Sequence, residues 1–123
     1  MATTNMQTKL KEIDSLLDNL KQTHPGEVDA FMNFMGKAEA GPALSLKEKE
    51  LVNTALAVAA QCEWCIAFHT KQALEAGAKR DALIEAGFQA VLMHGGPALM
   101  YMTPLLEAIK EFSMPARKAA ATH

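Results

Sequence analysis

Apolar residues recur every three or four positions along most of the chain, with charged and polar residues between them. This spacing is that of amphipathic α-helices, and no segment shows the strict alternation of a half-buried strand. Residues 6 to 22 form the first such segment, which ends at His24 and Pro25. Residues 27 to 39 form the second, which ends before Gly41. The pattern therefore predicts two helices in the first third of the chain.

A third helix is predicted to begin after Ser45. Glu48 follows Ser45 by three residues, which is the spacing of a capping box. The helix is expected to continue as far as Gln61 and is apolar on most sides after Lys49. A helix that is apolar on most sides is normally covered by its neighbours, so we expect this one to be buried.

Three further helices are predicted over residues 62 to 76, 80 to 94 and 98 to 112. Pro104 is expected to kink the last helix or to separate its first turn, because proline lacks the backbone N–H that a helix interior uses. The sequence thus predicts an all-α fold, a small bundle of about six helices.

Length and composition fit a single domain over residues 1–123. The 123 residues are enough to bury a core, half of them are hydrophobic, and the net charge is −2. No dense basic block indicates a surface that follows phosphates, so we expect no nucleic-acid partner. No apolar run is long enough to cross a bilayer and the N-terminal region lacks an apolar signal segment, so we expect a soluble, cytoplasmic protein that does not bind membranes.

The only two cysteines lie three residues apart in the stretch QCEWCIAFH, residues 61 to 69. In a reducing cytosol a close cysteine pair is more often catalytic or metal-binding than a structural disulfide. On a helix, Cys62, Cys65 and His69 point in directions of about 0°, 300° and 340°, so the three side chains share one face. The two α-carbons would lie about 5 to 6 Å apart, close enough for a disulfide to form and break.

The same stretch contains two features that activate a thiol. If the helix starts near Cys62, unpaired backbone N–H groups and the positive end of the helix dipole favour a thiolate. His69 lies one turn beyond Cys65 and is placed to take its proton, because imidazole titrates near neutral pH. Together they predict thiol chemistry at the start of the fourth helix.

Glu50 is the next candidate, although a carboxylate in LKEKE is also typical of a solvated first turn. A row of small or polar residues runs along its helix: Glu50, Thr54, Ala57 and Gln61. Such a row lets another helix approach closely, and a break near Gln61 would fold the third and fourth helices into an antiparallel pair. Glu50 would then lie level with residues 70 to 72, close to His69, where a carboxylate orients the imidazole and supports its charged form.

Two other uses of the cysteine pair remain open. One is a zinc-stabilised binding or interaction module in which Cys62, Cys65 and His69 are ligands, with His94 or Glu50 as a fourth. The second C-x-x-C or the paired histidines of a structural zinc site are missing, so we expect no metal and no other cofactor. The other is a helical interaction protein whose cysteines only pack in its core.

The spacing of these residues resembles that of a known family. Glu50 is followed after eleven residues by Cys62-x-x-Cys65-x3-His69, and then by the A-x-x-x-G-A of residues 73 to 78. This order resembles the alkylhydroperoxidase D-like branch of the carboxymuconolactone decarboxylase family. The match covers about residues 36 to 112.

The resemblance implies an all-α fold, homo-oligomers that are commonly trimers or hexamers, and a thiol-dependent peroxidase or disulfide reductase. By that resemblance Cys65 attacks the peroxide or accepts electrons, Cys62 resolves the sulfenic acid, and His69 and Glu50 relay protons. The substrate would be a peroxide or a small disulfide, and an electron-donor protein would complete the cycle. Trp64 replaces a histidine of the best-known peroxidase members, which changes the polarity at the mouth of the site. The family's decarboxylases lack the cysteine pair, so lactone decarboxylation is not expected.

Overall fold

The structure is a computed structural model that describes the backbone of residues 5 to 121 and the side chains of residues 5 to 113. Its secondary structure in that range is entirely helical, and no strand is present among those residues. The helices are α1 (Asn5–Thr23), α2 (Pro25–Ala40), α3 (Leu46–Ala59), α4 (Glu63–Glu75), α5 (Arg80–His94), α6 (Gly96–Met100) and α7 (Met102–Ala121). The predicted all-α fold is confirmed.

The end of α2 and the start of α3 are fixed by local hydrogen bonds. Ser45 Oγ accepts the backbone N–H of Glu48 at 3.1 Å, and Glu48 Oε1 accepts the N–H of Ser45 at 2.8 Å, so the predicted capping box is present. Lys49 Nζ donates to the carbonyl oxygens of Glu39 at 3.2 Å and Gly41 at 2.6 Å. A cation on these carbonyls satisfies the end of α2 and attaches it to α3.

The last predicted helix is divided into α6 and α7, and the division is at Tyr101 rather than at Pro104. Pro104 is the third residue of α7. Backbone N–H groups in a first turn have no partner within the helix, so the proline removes no hydrogen bond there. The expected separation of a first turn is confirmed, whereas its position, three residues before the proline, differs from the prediction.

The core lies where α3, α4, α5 and α7 meet, with α1 against α4 and α7. Its largest fully buried apolar side chains are Met6, Val58, Ile66, Leu83 and Leu105. Alanines fill much of the remaining interior, which allows the helices to approach closely. Because α4 packs against α1, α3 and α7, the start of α4 is held from several sides.

The prediction that α3 is buried on most sides is wrong. Its buried residues are Glu50, Thr54, Ala57 and Val58, whereas Val52 and Leu56 are 49% and 60% exposed. The small and polar row therefore faces α4, and much of the apolar side points away from the core. None of the described helices is long and apolar enough to cross a bilayer.

Candidate active site

A tight turn between α3 and α4 creates the site. Gln61 has a positive φ of 57°, the left-handed conformation. The N–H of Gln61 donates to the carbonyl of Val58 at 3.1 Å, and the N–H of Cys62 donates to that of Ala57 at 3.2 Å. These two bonds form a Schellman motif, which ends α3 and reverses the chain. The predicted break near Gln61 is confirmed, and Gln61 itself lies outside the helix.

The two cysteines are joined by a disulfide at the start of α4. Their α-carbons are 5.3 Å apart, within the predicted range. Cys62 is the N-cap of α4, where its Sγ accepts the backbone N–H of Cys65 at 3.1 Å. When the disulfide is reduced, the same N–H and the helix dipole favour a thiolate at this position.

Glu50 and His69 meet across the antiparallel pair. Glu50 Oε1 lies 2.7 Å from His69 Nδ1, and Glu50 is only 4% exposed. The predicted proximity is confirmed. If the Glu50 carboxylate is ionised it can only accept a hydrogen bond, so Nδ1 then carries a proton, and in the neutral imidazole Nε2 is the unprotonated nitrogen.

Burial and hydrogen bonding act on the pKa of the Glu50 carboxyl in opposite directions. Burial raises the pKa of the Glu50 carboxyl above its ordinary value. Hydrogen bonds from His69 and Asn53 oppose this increase in pKa, while the nearby carboxyl of Glu39 adds to it. The Glu50 carboxylate is therefore a buried charge that depends on its hydrogen-bond partners.

Two residues beside Glu50, its hydrogen-bond donor Asn53 and the carboxyl of Glu39, were missed in the sequence. Asn53 Nδ2 donates to Glu39 Oε1 at 2.9 Å and lies 3.3 Å from Glu50 Oε1, so one amide joins two carboxylates. Asn53 lies one turn after Glu50 on α3, and that spacing could have identified it. Glu39 lies on α2 beyond a loop, where no sequence spacing points to it.

A cavity of about 400 Å³ opens between α4 and the first two helices. From α4 it is lined by Trp64, Cys65, Phe68 and His69. From α1 and α2 it is lined by Ile13, Asp14, Leu17, Phe31, Met32 and Met35. Cys62 is absent from this lining. One of the two cysteines, Cys65, and the imidazole of His69 therefore line the same largely apolar cavity.

Trp64 attaches α1 to the start of α4. Its Nε1–H donates to Glu12 Oε1 at 2.8 Å, and Lys9 Nζ lies 4.6 Å from the centroid of the ring. Lys9 also lies 3.9 Å from a carboxylate oxygen of Glu63. The indole is thus both a wall of the cavity and a contact that holds α1 beside it.

The part of the chain that the structure describes contains no group of three or more His, Cys, Asp or Glu side chains arranged to hold a metal ion. Both sulfurs are joined to each other, and His69 Nδ1 is engaged by Glu50. His94 is exposed at the end of α5 and does not line the cavity. A zinc site on Cys62 and Cys65 would therefore require the reduced protein, because the sulfurs of the disulfide are joined to each other.

The fold and site define a class of all-α proteins with a C-x-x-C pair at a helix start and a glutamate–histidine pair beside it. The sequence profile of the carboxymuconolactone decarboxylase family matches residues 25–108. The chain belongs to this family, and the match is consistent with the alkylhydroperoxidase D-like branch that the sequence resembled.

Two uncharacterised proteins are similar to this chain in sequence. An uncharacterised protein of Cupriavidus necator is 38% identical over 104 residues, which cover 85% of this chain and 92% of that protein. An uncharacterised protein of the cox locus of Paracoccus denitrificans is 34% identical over 83 residues, covering 68% of this chain and 75% of that protein.

Two solved structures of the same family have this fold. The apo form of a family protein from Legionella pneumophila superposes with a TM-score of 0.86 at 38% identity, covering 90% of this chain and 99% of that chain. A family protein from Thermotoga maritima, for which a role in the antioxidative response has been suggested, superposes with a TM-score of 0.81 at 19% identity. That match covers 90% of this chain and 95% of the Thermotoga chain.

Proposed function

We propose that the protein is a thiol-dependent oxidoreductase that cycles Cys62 and Cys65 between dithiol and disulfide. One observation carries this proposal. Cys65, one half of the disulfide, lines a cavity together with His69, and the carboxyl of Glu50 contacts the imidazole of that histidine. Structural packing alone would require neither an open cavity at the sulfur nor a buried carboxylate on the imidazole.

The peroxidase half of the cycle begins with a proton transfer from Cys65 to Nε2 of His69. The Cys65 thiolate attacks the outer oxygen of a peroxide, the O–O bond breaks, and the departing alkoxide takes the proton from His69 to leave as an alcohol. Cys65 is then a sulfenic acid. The Cys62 thiol attacks its sulfur, water leaves, and the disulfide forms.

The second half of the cycle returns two electrons to the disulfide. A thiolate of an electron-donor protein, or of a small dithiol, attacks one sulfur and forms a mixed disulfide, and the donor's second thiol then releases the reduced protein. Run with a small disulfide as the oxidant, the same exchange makes the protein a disulfide reductase. We place the cycle in the cytoplasm, because a reducing compartment supplies such donors.

The lining of the cavity favours a peroxide substrate that carries an apolar group. Most of its lining is aliphatic, aromatic or methionine side chain, and Asp14 is its one acidic residue. Burying an apolar group there would contribute about 25 cal/mol for each Å² removed from water. An antioxidative role has been suggested for the Thermotoga maritima family protein, which agrees with a peroxide as the oxidant.

Thiol counting and mass spectrometry test this proposal. The reduced protein is mixed with cumene hydroperoxide, hydrogen peroxide or a small disulfide. We expect loss of two free thiols and two hydrogen atoms from the mass, fastest with the apolar hydroperoxide, and no such loss in Cys65→Ser. A reduced protein that keeps both thiols with all three oxidants, or that is purified with one zinc ion per chain on these thiols, would contradict it.

We also propose that the chain forms a homo-oligomer, a trimer or a hexamer. Apolar side chains remain exposed on helices that pack against one another: Leu56 of α3 at 60%, Leu92 and Met93 of α5 at 75% and 77%, and Met100 of α6 at 66%. Side chains of this kind mark interaction surfaces when they cluster.

Light scattering after gel filtration tests the assembly. The molar mass of the parent should be three or six times that of one chain, and the Leu92→Glu variant should have a lower molar mass. Lys110→Glu, on an exposed position of α7, is the control for the change in charge. A parent that runs with the mass of one chain would refute the oligomer.

A further inference from the structure

Helix α2 contributes to both the cavity and the buried carboxylates. Met32 and Met35 line the cavity, and Glu39 follows Met35 by one turn on the same side of the helix. The Oε1 of Glu39 accepts from Asn53, whereas its Oε2 is buried and has no hydrogen-bond partner in the described part of the chain. A buried carboxylate oxygen of this kind is costly, so its retention calls for an explanation.

Asn53 is the connection between Glu39 and the active site. Its side-chain amide has two hydrogens, and its Nδ2 lies 2.9 Å from Glu39 Oε1 and 3.3 Å from Glu50 Oε1. Each hydrogen is directed to one carboxylate. Loss of the acceptor on Glu39 would leave the amide free to turn away, and Glu50 would lose a donor that holds its carboxylate in place.

We propose that Glu39 is a positioning residue for the thiol chemistry of Cys65, acting through the Asn53 amide on Glu50 and through Glu50 on His69. The consequence for turnover rests on the proposed function. The consequence for His69 does not, because a Glu50 carboxylate held against Nδ1 fixes the tautomer and supports the imidazolium whatever the substrate.

Other charged groups lie near the contacts that connect Glu39, Asn53, Glu50 and His69, and the test must take them into account. Lys49 Nζ lies on the carbonyls of Glu39 and Gly41, and Asp14 of α1 lines the same cavity as His69. Removing Glu39 therefore changes the local charge as well as the hydrogen bond. Glu39→Gln removes the charge and keeps an oxygen that can accept from Asn53, so it separates the two effects.

The experiment compares Glu39→Ala, Glu39→Gln and Asn53→Ala in a Cys62→Ser background, where Cys65 is the only thiol. Glu27→Ala, an exposed glutamate on the same helix, is the matched control. NMR titration reports the protonation of His69, and iodoacetamide alkylation across the same pH range reports the thiolate of Cys65. Neither measurement requires a substrate of the protein.

We expect Glu39→Ala and Asn53→Ala to change the NMR titration of His69 from that of the parent and to slow alkylation of Cys65 at neutral pH about threefold to tenfold. Glu39→Gln should stay within about twofold of the parent rate, and Glu27→Ala should match it. Thermal melts confirm that each variant is folded. Glu39→Met, which keeps the volume without the acceptor, replaces Glu39→Ala if that variant does not fold.

Two results would overturn the proposal. One is a parent-like titration and alkylation profile in Glu39→Ala or Glu39→Met, which would reduce Glu39 to a packing role. The other is an equal change in the His69 titration and in Cys65 alkylation in Glu39→Gln and Glu39→Ala. That result would mean that Glu39 acts through its charge alone and not through the hydrogen bond to Asn53. A parent that turns over no peroxide or disulfide while His69 still shifts in the variants would refute the proposed function and leave Glu39 as a positioning residue.

Discussion

Glu50 and His69 are nineteen residues apart in the chain, yet Glu50 Oε1 lies 2.7 Å from His69 Nδ1. A straight helix through both residues would place them about 28 Å apart, at 1.5 Å per residue. The contact exists because the chain reverses at Gln61. In the proposed function, Nε2 of the imidazole is the base for the thiol of Cys65, one turn earlier on α4, and this proposal makes a specific kinetic prediction.

Glu50→Gln should keep the fold and the disulfide but slow oxidation of the reduced thiols by about tenfold to a thousandfold. His69→Ala should fall in a similar range. Because the two side chains act as one unit, the double variant should be little slower than either single variant. Stopped-flow oxidation by a peroxide and by a small disulfide, between about pH 6 and 9, measures all three. Parent rates in Glu50→Gln throughout this range would reduce the carboxylate to a structural role.

The two thiols should differ in reactivity. Cys65 lines the cavity with His69, whereas Cys62 caps the helix and is absent from that lining. Cys62→Ser should therefore accumulate a sulfenic acid on Cys65, which dimedone traps and mass spectrometry detects. Cys65→Ser should give none, because the helix start favours a Cys62 thiolate but the cavity, with His69 on its wall, lies at Cys65, and we expect access to the peroxide and to this base to decide the reactivity. Trapping in Cys65→Ser alone would reverse the two roles.

Much of the site could be predicted because its parts are local in sequence. The capping box at Ser45, the reversal at Gln61 and the shared face of Cys62, Cys65 and His69 each depend on a few neighbouring residues and on helix geometry. Once the reversal is assumed, the register of two antiparallel helices also brings Glu50 to His69. These features follow from rules that act over one or two turns.

The missed features depend on which element covers which face. Hydrophobic spacing identifies the apolar side of α3 but does not say which helix covers it. In the structure the small and polar row that contains Glu50 is buried, whereas Val52 and Leu56 of the apolar side are exposed. The link from Glu39 to Asn53 crosses a loop and depends on how α2 docks. The helix divides at Tyr101 and not at Pro104, and Pro104 forces no break because a proline is compatible with the first turn of a helix.

Removal of the Ser45 cap should destabilise the protein. Ser45 Oγ satisfies the N–H of Glu48, which would otherwise lack a partner at the start of α3. Ser45→Ala is expected to lower the free energy of unfolding by about 1 kcal/mol. Ser15→Ala, at an exposed position inside α1, is the control and should be neutral or slightly stabilising, since alanine favours a helix interior. Urea denaturation compares them, and equal midpoints for the two variants would contradict the cap.

Glu48 should make part of this stability dependent on pH. Hydrogen bonds from the backbone and side chain of Ser45 hold the pKa of the Glu48 carboxyl below its ordinary value. A carboxyl whose pKa is lowered on folding stabilises the folded state above its unfolded pKa and loses that contribution as the pH falls through the folded value. The difference in unfolding free energy between parent and Glu48→Ala should therefore shrink as the pH falls through this window. Glu85→Ala, an exposed glutamate of α5, is the control, and the same pH trend in that variant would contradict the prediction.

Gln61 should be the residue at which a single substitution most directly tests the turn. Its φ of 57° lies in the left-handed region, which costs residues with a β-carbon about 1 kcal/mol and costs glycine little. Gln61→Gly should therefore raise the free energy of unfolding by up to about 1 kcal/mol, and Gln61→Val should lower it by 1 kcal/mol or more, about the cost of a β-branched residue in this region. Ala60→Val, at the preceding exposed position with a φ of −78°, separates this backbone effect from that of a β-branched side chain. If the glycine and valine variants at position 61 unfold at the same urea concentration, the left-handed turn that joins Glu50 to His69 is not the conformation of the folded protein.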